Sequence, residues 1–95
     1  MSARTFEWDP AKARANARKH GLSFSDVRLV FRGHTSNEPE TSVDYGEERW
    51  LAVGLLKLAV VAIVYTVPQE NTYRIISMRP ATNHEQQQFW RDYPQ

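Results

Sequence analysis

The sequence predicts an α+β domain in which helices pack on one small antiparallel sheet, in the order β-α-α-β-β-β-β-α. Residues 60–67 form an uncharged run of β-branched and aromatic side chains, which is typical of a central strand. Turn-forming residues at 68–71 separate this run from a second strand at 72–79, and the two strands predict a hairpin. Capping signals on either side of the hairpin predict the helices.

The composition indicates one domain over residues 1–95. A chain of 95 residues with 41% hydrophobic content is large enough for a single core and too small for two. The absence of cysteine excludes disulfides and thiolate metal sites. Lys57 interrupts the longest apolar run, and the first ten residues lack the apolar stretch of a signal peptide. We therefore expect a cytoplasmic protein with no membrane partner.

The chain opens with a short strand at residues 5–8 and a first helix. Asp9 is suited to the N-cap and Pro10 to the first helical turn, while Gly21 after residues 11–20 predicts a left-handed C-terminal cap. One side of this helix carries small or polar residues at three-to-four spacing, which predicts that it lies close against the sheet. These residues are Ala13, Asn16, Ala17 and His20.

A second helix and an acidic segment follow. Ser23 and Asp26 have the spacing of a capping box, with aspartate in place of glutamate, and Gly33 ends the helix. Its apolar face consists of Val27, Val30 and Phe31. Residues 34–46 are polar and contain Pro39, which favours a short edge strand or an exposed loop over a central strand.

The remaining elements are a strand at residues 47–56, a turn at 56–59, the hairpin and a last helix. In the strand, alternation places Glu47, Arg49, Leu51, Val53 and Leu55 on one face and Glu48, Trp50, Ala52, Gly54 and Leu56 on the other. Pro80 ends the hairpin, and the spacing of Thr82 and Glu85 predicts a capping box for the last helix. Alternation also places Arg74 and Arg79 on opposite faces, about 16 Å apart, unless a bulge resets it.

The formal net charge of +1 is distributed unevenly. Residues 1–34 contain seven Lys and Arg against three acids, whereas residues 35–50 contain five acids and one arginine. The basic N-terminal third suits a polyanion, although the helices of small domains often carry such charge without a partner.

Four blocks of the sequence resemble the BrnT family of bacterial type II toxins. They are FEWDPAKARAN at 6–16, KHGLSFSDVRLVF at 19–31, YGEERW at 45–50 and RIISMRPATNHE at 74–85. The resemblance covers nearly the whole chain. It implies a RelE-like fold, metal-free RNA cleavage with no cofactor, and growth arrest. It also implies a ribbon-helix-helix, BrnA-like antitoxin, through whose complex alone the toxin would contact DNA.

Arginines are the expected phosphate ligands. RNA cleavage without a metal needs cations at the phosphate and groups that transfer protons to and from the ribose and the leaving oxygen. Arg79, at a strand end beside a helix start, is the first candidate and Arg49 the second. The alternatives are a surface ion pair of Arg79 with Glu85 or Asp92, and of Arg49 with Glu47 or Glu48.

His20 and Glu48 are the candidates for proton transfer, with Glu47 and His84 as alternatives. His20 ends the first helix, where the macrodipole favours positive charge, so it suits an acid; its alternative role is packing or capping. A partly desolvated Glu48 would suit a base. RNA contacts are expected from Arg18, Lys19 and Arg74 and from stacking on Trp50, although tryptophans more often pack in cores. No residues have the spacing of a metal site.

Three features differ from the family pattern as we expect it. Residues 66–68 read Thr-Val-Pro without a cation, Met78 replaces a smaller residue, and residues 86–88 are glutamines rather than cations. Each lowers the positive potential available to RNA. The alternative function is therefore a catalytically weak binding module that acts through its antitoxin in DNA-binding autoregulation.

Overall fold

The computed structural model describes residues 4–41 and 46–94, so Tyr45 of the 45–50 block lies outside it. The elements are β1 (Thr5–Glu7), α1 (Pro10–His20), a 3₁₀ turn (Phe24–Asp26), α2 (Val27–Arg32), β2 (Thr35–Pro39), β3 (Trp50–Leu56), β4 (Ala59–Gln69), β5 (Thr72–Pro80) and α3 (Asn83–Asp92). This order confirms the predicted one. Within these ranges no helix is long and apolar enough to cross a membrane.

The five strands form one mixed sheet in the order β1-β5-β4-β3-β2. Strands β2 to β5 are antiparallel, but β1 pairs parallel to β5, with Phe6 opposite Tyr73. This edge differs from the fully antiparallel prediction. Tight turns dictate antiparallel pairing only between consecutive strands, whereas α1 and the rest of the sheet separate β1 from β5. The acidic segment forms the edge strand β2, which is the first of the two predicted alternatives.

Two apolar clusters lie on opposite faces of the sheet. The larger lies beneath α1 and α2 and includes the predicted α2 face of Val27, Val30 and Phe31, all buried. The smaller lies beneath α3 and is centred on Phe89. The alternation predicted for β3 is confirmed, because Ala52 and Leu56 belong to the first cluster and Leu51 and Val53 to the second.

The hairpin turn is shorter than predicted. Pro68 lies within β4, and only Glu70 and Asn71 form the turn, with Asn71 in the left-handed region at φ 63°. Pro68 is tolerated because the β4–β5 register is irregular between Thr66 and Gln69, where no ladder donor is required of it.

The predicted helix caps are confirmed with one exception. Asp9 accepts from the Lys12 N–H, Gly21 adopts φ 69°, and Thr82 and Glu85 form a reciprocal capping box. The Ser23 hydroxyl instead accepts from the Ser25 N–H and opens a 3₁₀ turn. Asp26 consequently precedes α2 and makes no side-chain cap bond, so the capping box predicted for Ser23 and Asp26 is wrong.

Candidate active site

A β-bulge in β5 brings its two arginines to the same face of the sheet. Ser77 pairs with Val64 and Ile75 with Tyr65, so Ile76 has no partner on β4. Ile75 and Met78, three residues apart, consequently both belong to the cluster beneath α1 and α2. The bulge shifts the alternation of β5 by one residue. The prediction that Arg74 and Arg79 lie on opposite faces assumed no bulge, so it does not hold here.

The contacts of the two arginines agree with this assignment. Arg79 bonds to Glu85 of α3. Arg74 pairs with Glu7 at 2.6 Å, and Glu7 lies between Phe6 and Trp8, which both pack on the opposite face. Arg74 and Arg79 therefore share the face that carries α3.

Arg79 is held end-on by Glu85. Its Nη1 and Nη2 donate to the two carboxylate oxygens at 2.7 and 2.9 Å, and Nη1 also donates to the Pro80 carbonyl at 3.3 Å. This bond with Glu85 raises the pKa of Arg79 and, with the Thr82 N–H, holds the pKa of Glu85 below its ordinary value. Within the described residues the Nε–H makes no bond, so one edge of the guanidinium remains available to an anion.

Arg49 lies on the same face as Arg79. Its side chain is 14% exposed, and its Nη2 contacts Glu47 at 3.3 Å. The Arg49 carbonyl accepts from the Glu40 N–H at 2.8 Å, which extends the β2–β3 pairing and with it the alternation that puts Arg49 beside Leu51. Glu40 also raises the pKa of Arg79 through its charge. Glu40 therefore pairs with the backbone of Arg49 and carries a charge that acts on Arg79.

The two candidate phosphate ligands are nevertheless well separated. Arg79 is opposite Ala62, which is opposite Val53, and Arg49 lies four residues before Val53. Two strand spacings and four residues of rise place their Cα atoms about 16 Å apart. Long side chains on one face can reach neighbouring phosphates of one RNA strand at this distance, but the backbone does not bring them to a single phosphate.

The other predicted site residues lie elsewhere. Arg18, Lys19 and His20 are in the last turns of α1, which packs through Ala13 against the cluster on the opposite face. Trp50 packs against the core on that same face, so its alternative role as a core residue is the observed one. Glu48 is exposed immediately before β3 and makes no hydrogen bond or ion pair within the described residues. The structure thus places Arg74, Arg79 and Arg49 on one face of the sheet. The α1 residues lie on the other face.

The hydroxyl of Tyr65 is not available to an RNA phosphate. It is buried, and its hydroxyl donates to Asn37 at 3.0 Å. Burial, reinforced by Tyr73, raises the pKa of Tyr65 to about 12. The ring stacks on Tyr73 with centroids 4.9 Å apart. Tyr65 therefore belongs to the aromatic core.

The chain is similar to known proteins in both sequence and fold. The sequence model of the family described as "Ribonuclease toxin, BrnT, of type II toxin-antitoxin system" matches residues 8–85. The chain belongs to this family. The match includes Arg49, Arg74, Arg79 and Glu85 and ends within the first turn of α3. Membership in the BrnT family implies an RNA substrate and an antitoxin partner.

The fold agrees with this assignment. The crystal structure of the Brucella abortus ribonuclease toxin BrnT matches with a TM-score of 0.64 and 26% sequence identity, over 85% of this chain and 100% of that one. No curated protein matches the sequence at a significant level. The BrnT likeness therefore holds for the sequence blocks and for the arrangement of the sheet and helices.

Proposed function

We propose that this chain is a metal-independent endoribonuclease toxin of the RelE-like type that arrests growth by cleaving RNA in the cytoplasm. A ribbon-helix-helix, BrnA-like antitoxin would neutralise it, and their complex would bind DNA to repress its own promoter. The ribonuclease class comes from the family. Among residues 4–41 and 46–94, no group of three or more His, Cys, Asp or Glu is placed to hold a metal ion.

The proposed reaction is an internal displacement at phosphorus. The ribose 2′-oxygen bonds to phosphorus as it loses its proton to a base, the bond to the 5′-oxygen breaks, and that oxygen takes up a proton. A cyclic phosphate and a 5′-hydroxyl result. No redox partner or cofactor is needed. The protein has to stabilise the added negative charge on the phosphate oxygens and to hold the reacting groups in line.

The observation that supports this role for Arg79 is its end-on ion pair. Glu85 orients the guanidinium and occupies one of its edges. The Nε–H edge could then bind a phosphate without any change in the Arg79 side chain. With a side chain that is 31% exposed, Arg79 is neither fully solvated nor sealed from substrate. We assign Arg49 and Arg74 to the flanking phosphates, since both lie on the same face.

The position of the imidazoles bears on the proton-transfer roles. His84 is in the first turn of α3 beside Glu85, on the face that carries Arg79. His20 ends α1 on the other side of the sheet. These positions support His84 over His20 near the phosphate. Glu48 precedes Arg49 and by the alternation of β3 shares the face of Trp50, so it is a weaker carboxylate candidate.

One observation favours the alternative, a catalytically weak module that acts through its antitoxin. Glu85 neutralises Arg79, and the adjoining turn of α3 carries Gln86, Gln87 and Gln88 instead of cations. A face with so little net positive charge holds a polyanion weakly.

An RNA cleavage assay in EDTA separates the two functions. We expect the purified chain to cleave single-stranded RNA with the chelator present, and Arg79→Ala to lower the rate by about 100-fold, as for loss of one transition-state donor. Arg91→Ala, an exposed arginine at the far end of α3, is the matched control and should cleave normally. Equal rates for Arg79→Ala and the unaltered chain would remove Arg79 from the site, and an inert unaltered chain would favour the binding module.

A further inference from the structure

A cleft of about 210 Å³ opens between the edge strand β2 and helix α3. Strand β2 and helix α3 form its two walls, with Glu38 on the first and Asp92 on the second. The other lining residues are His34, Ser36, Asn37, Val53, His84, Glu85 and Gln88. It lies on the α3 face, but at the opposite edge of the sheet from β1. Through His84 and Glu85 the cleft adjoins the candidate site, whereas Glu38 and Asp92 have no role in the proposed reaction.

The walls of this cleft carry negative charge that the described part of the chain does not neutralise. The backbone of Glu38 pairs with Leu51, but its carboxylate has no hydrogen bond or ion pair with any described residue. Asp92 takes only long bonds on one oxygen, from Ser36 at 3.4 Å and from Gln88 at 3.3 Å. No lysine or arginine among the described residues lines the cleft. Two carboxylates on facing walls therefore favour a cation between them.

His34 adds a second, independent feature. Its Nε2 is buried and has no hydrogen-bond partner among the described residues, while its ring packs between Phe89 and Tyr93, each with a centroid separation of 5.7 Å. A buried polar atom without a partner is costly, because it has lost water and gained nothing. His34 thus brings an unsatisfied polar atom to the lining of the cleft.

We propose that this cleft receives an arginine or lysine side chain of the antitoxin. The inference rests on the proposed function, because the toxin-antitoxin assignment is what supplies a protein partner. Charge selects the kind of contact: residues 35–50 carry five acids and one arginine, which attract a basic protein segment and repel RNA. The chemistry of the cleft thus assigns it to the antitoxin rather than to the substrate.

The exposed edge of β2 indicates that the partner inserts side chains and does not extend the sheet. The Asn37 amide donates to the Thr35 carbonyl at 3.2 Å, and Pro39 has no N–H to offer a further strand. Tyr93, 38% exposed beside His34, offers an apolar rim to the same partner. The occupant is therefore a basic helix or loop placed across the end of α3.

The test uses the full-length chain and the purified product of the adjacent antitoxin reading frame. We expect the double variant Glu38→Gln/Asp92→Asn to raise the Kd at least tenfold and to weaken the salt dependence of binding. Both substitutions keep size and hydrogen bonding, and circular dichroism checks the fold. Glu70→Gln, at the exposed β4–β5 turn, is the matched control and should bind normally.

Two readouts keep this inference separate from the ribonuclease activity. RNA cleavage by the double variant should stay within twofold of the unaltered chain. A Kd within twofold of the unaltered chain, or no binding by the unaltered chain, would overturn the cleft assignment even if RNA is cleaved. Carboxylate-dependent binding by a chain that cleaves no RNA would support the cleft while the proposed activity fails.

Discussion

Asn16 of α1 and Met78 of β5 are joined by a pair of hydrogen bonds. The Asn16 Nδ2 donates to the Met78 carbonyl at 2.9 Å, and its Oδ1 accepts from the Met78 N–H at 3.1 Å. Strand β1 pairs with β5 only as far as Arg74, so beyond that point the Asn16 amide takes the place of a neighbouring strand. This contact fixes the backbone one residue before Arg79.

Replacement of Asn16 should cause a large loss of stability for a single substitution. Asn16→Ala leaves the buried Met78 N–H and carbonyl without partners, and we expect it to lower the free energy of unfolding by about 2–3 kcal/mol. Urea denaturation measures the change. Arg14→Ala, on the exposed side of α1, is the control and should be near neutral. A loss below about 0.5 kcal/mol for Asn16→Ala would show that the Asn16 amide does not stabilise the edge of β5 at Met78.

Replacement of Glu85 by glutamine should produce a pH-dependent loss of stability. Glutamine keeps the side-chain cap of α3 but removes the charge that faces Arg79, so we expect a loss of about 1 kcal/mol at pH 7. The folded pKa of Glu85 lies below its ordinary value, mainly because Arg79 bonds the carboxylate. Its contribution is therefore complete above the unfolded pKa of about 4.3 and disappears as the pH falls through the lower folded pKa.

Thermal unfolding of the unaltered chain and of Glu85→Gln between pH 7 and pH 2 measures this effect. The difference in stability between the two proteins should begin to shrink below about pH 4. It should disappear as the pH falls from the unfolded pKa of Glu85 through the lower folded pKa. Glu70→Gln is the control, since Glu70 has no hydrogen bond or ion pair within the described residues. A constant difference down to pH 2 would mean that the ion pair is not its source.

The sequence predicted the parts of this fold that depend on local periodicity and capping. The apolar face of α2, the alternation of β3 and the cap of α3 follow from neighbours a few residues apart. It could not predict the shared face of Arg74 and Arg79, because no glycine or other local signal marks the bulge at Ile76. Nor could it predict the role of Asn16, whose partner is 62 residues away.

For the candidate site, the sequence identified the arginines but not their surroundings. The pairing of Arg79 with Glu85, left open as an alternative, depends on how Pro80 and the α3 cap turn the chain back towards β5. The distance of His20 from Arg79 depends on which face α1 covers, and that is set by tertiary packing. Long-range contacts therefore decided which predicted residues came together.

Gly54 should not tolerate a side chain. A Cβ at this position would lie 2.8 Å from Cγ1 of Val30 and 3.0 Å from Cγ2 of Thr35. Val30 is buried and β-branched, so it cannot easily rotate away, and we expect Gly54→Ala to cost about 1–3 kcal/mol of stability. Gly33→Ala is the control, because the nearest atom there is 3.9 Å away. Chemical denaturation of both variants tests the packing of α2 on β3.

The face that binds RNA can be identified by the salt dependence of binding. Arg74 shares the face of Arg79, whereas Arg18 and Lys19 lie on α1 across the sheet. If RNA binds the α3 face, Arg74→Gln should lower the slope of log affinity against log salt by about 0.7, the value for one phosphate contact with a single strand. The double variant Arg18→Gln/Lys19→Gln should keep the original slope, although it loses more charge.

Fluorescence anisotropy with a 2′-O-methyl RNA, which lacks the attacking hydroxyl, measures this binding without cleavage. Arg74 is 57% exposed and its pair with Glu7 is at the surface, where such pairs contribute little, so a phosphate can replace Glu7 at small cost. A slope that changes only in the α1 double variant would place RNA on the basic helices. Arg79 would then be a structural arginine held by Glu85, and the phosphate site would have to be sought on the side of His20.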